Sequence, residues 1–175
     1  MHSSQLLIAL AASSLASAAA AGQDLTDFYL VTTTSREPAS ESSLLPNVNA
    51  TSLFDADGPS TDLYQLRLIG PGYGSLPRFN LTDNALHTIA YGAHGNGEYD
   101  YESTEVKTGE VLAFDPTPEE GSNVSLKGGY LLAVDGECEG WTICPGARQQ
   151  AVISWKGTDS GCEARFIQAV SSAPY

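Results

Sequence analysis

The residues with the greatest capacity for chemistry are three cysteines, three Asn-x-Ser/Thr sequons and a few aromatics set among glycines. Cys138, Cys144 and Cys162 fall in the last quarter of the chain. An oxidising compartment closes one pair and leaves one thiol over. The pairing taken here is Cys144–Cys162, whose closure contributes about 3 kcal/mol in the chain-entropy treatment. For Cys138 an intermolecular bridge, a swapped pairing and a buried unreactive thiol all stay open. Asn49-Ala50-Thr51, Asn80-Leu81-Thr82 and Asn123-Val124-Ser125 are acceptors for N-linked glycans in a chain that enters the secretory route. Trp141 and Tyr73 sit in Gly-rich stretches and are candidate sugar platforms, because an exposed aromatic offers an apolar face to the C–H face of a pyranose. Trp155 shares a strand face with Ala151 and Ile153 and reads as core.

Other chemistries lack their residues. The serine of Gly157-Thr158-Asp159-Ser160-Gly161 stands one place too late for a nucleophile elbow. Glu98, Glu102, Glu137 and Glu139 supply carboxylates for a glycosidase pair on paper, yet in so acidic a chain such pairs carry no information. Asp55-Ala56-Asp57-Gly58-Pro59 resembles a calcium loop only until Pro59 and Ser60, where an oxygen ligand and a glycine are required. His87 and His94 are seven apart with no Cys-x-x-Cys, so they read as ordinary surface or hairpin histidines. Gly70-Pro71-Gly72-Tyr73-Gly74 lacks the Gly-Lys-Ser/Thr ending of a phosphate loop. No catalytic residue, metal or cofactor is expected.

The N-terminus sets the compartment. Leu6–Leu15 is an apolar run followed by small residues ending in Ala16-Ser17-Ala18 and Ala19-Ala20-Ala21, the pattern of a cleavable signal peptide over 1–21. It is too short to span a bilayer, which takes about 20 apolar residues, and the polar C-terminus does not fit a GPI signal. Residues 22–175 then form a single secreted domain, a size that supports one sizeable core. No Lys, Arg, Asp or Glu precedes Asp24, so the net charge of −13, from 21 acids against 8 Lys and Arg, belongs to that domain. Nucleic acid and anionic membranes are disfavoured as partners, since both rest on clustered basic residues.

The elements that must position these residues are strands. Tyr64, Leu66 and Leu68 alternate with Gln65 and Arg67, and short runs of the same kind recur at Phe28–Thr34, Tyr99–Glu102, Val111–Phe114, Tyr130–Val134, Ala151–Trp155 and Ala164–Val170. Leu81-Thr82-Asp83-Asn84-Ala85-Leu86 is matched 45 residues later by Leu126-Lys127-Gly128-Gly129-Tyr130-Leu131, with Asp-Asn and Gly-Gly as two-residue hairpin signals. Three units of that length fill the mature chain. The fold expected is therefore all-β, a compact antiparallel barrel of β-trefoil type, with a β-sandwich as the alternative. Ser35–Ser60 reads as a long surface excursion anchored by Leu44, Leu45, Leu53 and Phe54.

Four blocks carry a resemblance to a known family: FYLVTTTS from Phe28, YQLRLIGPGYGSLPRFNLTDNALHT from Tyr64, SLKGGYLLAVDGECEGWTICPG from Ser125, and VISWKGTDSGC from Val152 with FIQAV after it. In these the chain resembles the fungal PhiA-type secreted cell-wall or IgE-binding proteins. A fainter similarity runs to the C-terminal domain of Pir cell-wall mannoproteins. The resemblance implies an extracellular or wall-associated protein without enzymatic activity, with cell-wall polysaccharide or a host protein as partner. Cys144 and Cys162 stand where the family's late cysteines fall, and Cys138 departs from the pattern. The glutamine-bearing wall-linkage repeats of Pir proteins are missing, which favours loose retention or free secretion. A carbohydrate-binding module is the second reading, and a secreted enzyme or an inhibitor of host enzymes a third.

Overall fold

A computed structural model describes residues 24–52, 64–69, 76–91, 98–117, 121–146 and 151–174. Residues 1–21, read above as a signal peptide, and residues 55–60, 70–74 and His94 lie outside them.

The described chain is all-β. Thirteen strands are accompanied by one 3-10 turn at Ser42–Leu44. They are β1 Leu25–Thr33, β2 Asn47–Ser52, β3 Tyr64–Ile69, β4 Phe79–Thr82, β5 Ala85–Tyr91, β6 Glu98–Ser103 and β7 Ala113–Asp115, then β8 Val124–Lys127, β9 Leu131–Val134, β10 Trp141–Pro145, β11 Ala151–Trp155, β12 Glu163–Ala164 and β13 Phe166–Val170. Every ladder is antiparallel, as short connections between sequential strands require. The ladders run in the order β12-β10-β11-β3-β7-β6-β5-β4-β1-β13-β9-β8, and β2 lies off this path, pairing β1 and β3.

The two matched segments are both turns between strands. Asp83 and Asn84 hold φ of 52° and 63°, the left-handed pair that a two-residue hairpin demands, and Thr82 faces Ala85 directly. The second differs from expectation. Lys127 pairs Leu131, so Gly128, Gly129 and Tyr130 make a three-residue loop with only the glycines at positive φ, and Tyr130 belongs to the turn and not to the strand.

No ladder joins β5 to β8. At that junction the Val124 N–H donates to the Asn84 carbonyl at 2.9 Å, and side chains satisfy the backbone groups that a ladder would otherwise pair. The Leu86 N–H donates to Ser103 Oγ at 2.9 Å, and Ser103 Oγ lies 2.8 Å from Ser122 Oγ.

The core draws on most of the strands, with Phe28, Phe79, Leu81, Leu86, Tyr101, Phe114, Leu132, Trp141, Ile153, Trp155 and Ile167 among its members. Phe79 is the hub of an aromatic row, its centroid 6.3 Å from Phe28 and 6.2 Å from Phe114. A second, smaller cluster gathers Leu131, Ala133 and Cys138.

The excursion expected over Ser35–Ser60 is interrupted by β2, which pairs β3 from Asn47↔Ile69 to Ser52↔Tyr64. Its polar sequence NVNATS hid a strand whose buried anchor is Val48. Leu44 is 74% exposed and anchors nothing, while Leu53 and Phe54 lie outside the described residues.

Candidate functional site

The segment from Ser35 to Ala39 crosses the outer face of β13 as a strap, and one buried side chain fastens it. Gln168 accepts the Ala39 N–H at Oε1 (2.9 Å) and donates from Nε2 to the carbonyls of Ser35 (3.2 Å) and Glu37 (2.8 Å). An amide has two donors and an acceptor on one rigid plane, which lets it bind a passing chain as a strand would. Tyr130 Oη donates to the Arg36 carbonyl at 3.1 Å, and Arg36 pairs with Glu139 at 3.0 Å. Both members of that pair are exposed, so it adds little, about 0–1 kcal/mol. Beside the strap lies an open cleft of about 310 Å³ lined by residues 38–40, Ser42, Tyr130 and residues 168–172. Its polar groups are hydroxyls and amides, and no charged side chain enters the lining.

Trp141 is not a sugar platform. It is fully buried, its Nε1 donates to the Leu132 carbonyl at 2.8 Å, and its ring meets Trp155 edge-on at 5.0 Å and 71°. Gly140 is a packing residue: a Cβ there would come within 2.6 Å of the Trp155 ring. The glycine that suggested a loop makes room for the second tryptophan. Tyr73 lies outside the described residues.

Cys144 and Cys162 form a disulfide that ties β10 to the turn before β12. Cys138 is a free thiol buried against Leu131 and Ala133. Of the fates left open by the sequence, the structure shows the buried thiol.

The sequons differ sharply. Asn49 lies in β2 opposite Arg67. Asn80 stands exposed in β4, where its Oδ1 accepts the Asp27 N–H at 2.8 Å. Asp27 holds φ of 62° at a register irregularity in β1, and its carboxylate pairs with Arg78. The hydrogen bond that Arg78 donates to the Asp27 carboxylate, and then the charge of Asp27, hold the Arg78 guanidinium above its ordinary range. Asn123 is half-buried and bonded at both ends of its amide. Its Oδ1 accepts the Val106 N–H at 2.9 Å, and its Nδ2 donates to the Val106 carbonyl and to Asp135 Oδ2, each at 3.2 Å.

His87 and Glu102 face one another across β5 and β6, and Glu102 faces Asp115 across β6 and β7. His87 Nδ1 is 3.5 Å from Asp100 Oδ2. Among the described residues no group of three or more His, Cys, Asp or Glu is placed to hold a metal ion. Nor is any helix there long and apolar enough to cross a membrane.

Neither a family model, nor a curated protein, nor a solved structure matches this chain.

Proposed function

We propose that this chain is a secreted, N-glycosylated, non-catalytic protein of the fungal wall or its surroundings, which acts through its surface as a structural or interaction module and is open to recognition by IgE. The observation that carries the reading is the Cys144–Cys162 disulfide, because a structural bridge belongs to an oxidising compartment and agrees with the leader-like N-terminus. The resemblance to PhiA-type proteins in four blocks points the same way.

The fold proposed within the all-β class is a β-trefoil. Three antiparallel pairs, β2–β3, β6–β7 and β10–β11, would form its cap. Their second strands touch one another, since β3 pairs both β7 and β11 and the Leu112 N–H, just before β7, donates to the Ile153 carbonyl. The other six strands would follow one another round the other end through β5–β4–β1–β13–β9–β8, with Val124 to Asn84 as the link back to β5. That would be three units of four strands, with the two-residue β12 as an addition beside β10, at the 45-residue spacing of the two turns.

The test is fractionation of the producing culture into medium, salt- or detergent-extracted wall and glucanase-released wall, each probed with an antibody. Recovery from medium or extracted wall supports a diffusible or loosely held protein. A chain found only in the cytosol defeats the reading.

The cleft beside the strap favours a second reading, carbohydrate binding. Its volume stands at the lower end of ligand sites, about 300–1,000 Å³, and its lining of hydroxyls and amides suits a neutral polyol. Pull-down on glucan, chitin and mannan tests it, and no retention on any of the three removes it.

A further inference from the structure

We infer that Asn80 is a glycan-bearing sequon and that Asn123, although its sequence is equally permissive, is a structural amide that stays bare in the folded protein. This rests on the secretory reading above. The distinction comes from what each amide nitrogen does. N-linked transfer replaces one of the two Nδ2 hydrogens with a sugar, so the modified nitrogen keeps a single donor.

At Asn80 the fold already orients the amide. The left-handed turn of the backbone at Asp27 aims that N–H at Asn80 Oδ1, which fixes the oxygen inward along the sheet. No described residue accepts from Nδ2. The side chain is exposed on β4, separated by two residues from the tight Asp83-Asn84 turn, so a glycan leaves the surface without displacing a contact. The buried Leu81 between Asn80 and Thr82 anchors the strand from the other face. The residue opposite Asn80 is His87, which in turn faces Glu102, so a glycan rooted here stands over the outer face of β4–β6. That face is where the exposed Ile89 lies opposite Asp100.

At Asn123 both nitrogen hydrogens are in use. The amide pairs with the backbone of the buried Val106 as another strand would, Oδ1 taking its N–H and Nδ2 giving to its carbonyl, while the second N–H goes to Asp135. The Asn123 carbonyl also accepts the Asp135 N–H at 3.0 Å. A sugar on Nδ2 removes one of those bonds and occupies the space of its acceptor. Chains modified there before folding lose the link between the 104–107 segment and the start of β8, so the folded secreted population is depleted of them.

The glycan readout separates the sequons without touching either asparagine. The full chain is expressed through a eukaryotic secretory pathway as wild type, Thr82→Ala and Ser125→Ala, and intact masses are read before and after peptide-N-glycosidase treatment. The expected result is that Thr82→Ala loses one glycan and Ser125→Ala keeps the wild-type mass. Any glycan on Asn49 is common to all three and cancels. Loss of a glycan from Ser125→Ala, or an unchanged glycan mass for Thr82→Ala, overturns the inference. A second readout addresses the structural half. Asn123→Gln should lower the folded-to-unfolded ratio about tenfold, and Ser125→Ala should leave it near wild type. Equal stability of the two variants overturns that half. Each chain is made behind both its own leader and a substituted one. Retention in the cell with its own leader, together with normal modification of Asn80 behind the other, defeats the secretory reading and upholds this one.

Discussion

Replacing Trp141 by Phe separates a core tryptophan from a sugar-binding one. The indole N–H gives a 2.8 Å hydrogen bond to the Leu132 carbonyl inside the protein. Phe cannot make it, and a net bond of this kind is worth about 0.5–1.5 kcal/mol. The side chain is completely buried and packs edge-on against Trp155, so the smaller ring also leaves a void. Full truncation of a core tryptophan costs about 3–5 kcal/mol, and loss of the five-membered part of the bicycle accounts for about a third of that. Together these give a loss of about 2–3 kcal/mol. For a domain of this size that is a fall of about 4–12 °C in Tm. The assay is guanidinium unfolding followed by fluorescence and circular dichroism, with the midpoint compared at unchanged slope. A loss below about 0.5 kcal/mol, the level of an ordinary surface change, refutes the assignment. So does a variant of native stability that has lost retention on polysaccharide.

Three further changes test how the fold is held. Ser103→Ala strips the acceptor from the Leu86 N–H in a fully buried setting, and thermal unfolding should show a loss of about 1–3 kcal/mol. Gly140→Ala drives a methyl into the Trp155 ring at 2.6 Å, so denaturant titration should show a cost of about 1–3 kcal/mol, the range for overpacking. The double variant Cys144→Ser, Cys162→Ser opens a bridge of sequence separation 18 and should lose about 3 kcal/mol. Reduced wild type should unfold at the same midpoint as that variant, and a reduced protein as stable as the oxidised one contradicts the expectation.

What could be read from the sequence was the alternation of the strongly apolar strands. Ala151–Trp155 appears as expected because its large apolar residues are β-branched or aromatic, and its inward face carries Ile153 and Trp155. β5 and β10 were not among the expected runs either, and several of the other strands missed are short or polar. β2 reads NVNATS and buries Val48, while β4 and β8 have four residues each and show only two inward side chains. Such strands exist because neighbours pair with them, and no local pattern records that. Trp141 was misread for the same reason: Gly140 looks like loop chemistry until the facing ring of Trp155 is known. The strap and its clamp had no sequence signal either, since Gln168 lies 129 residues from Ala39 and is one more polar residue on an otherwise ordinary strand.

The charge distribution narrows what the two surfaces of this protein can do. With a net charge of −13, the molecule carries a field that repels polyanions at long range and holds cations near its many exposed carboxylates. The cleft beside the strap adds no charged side chain to that field, its lining being serines, Tyr130, Gln168 and a few small apolar residues. A cation gains more elsewhere on the surface than in the cleft, and an anion must cross an unfavourable potential to reach it. Neutral, hydroxyl-rich molecules meet neither obstacle, and the serine and tyrosine hydroxyls of the lining offer them partners, while the Gln168 amide is spent on the strap. The outer face of β4–β6 is different, with Asp100, Glu102 and the exposed Ile89 beside the Asn80 sequon. A glycan there would stand over Ile89 and these carboxylates, and would leave the cleft, on the other side of β1 in the ladder order, as the accessible surface for recognition.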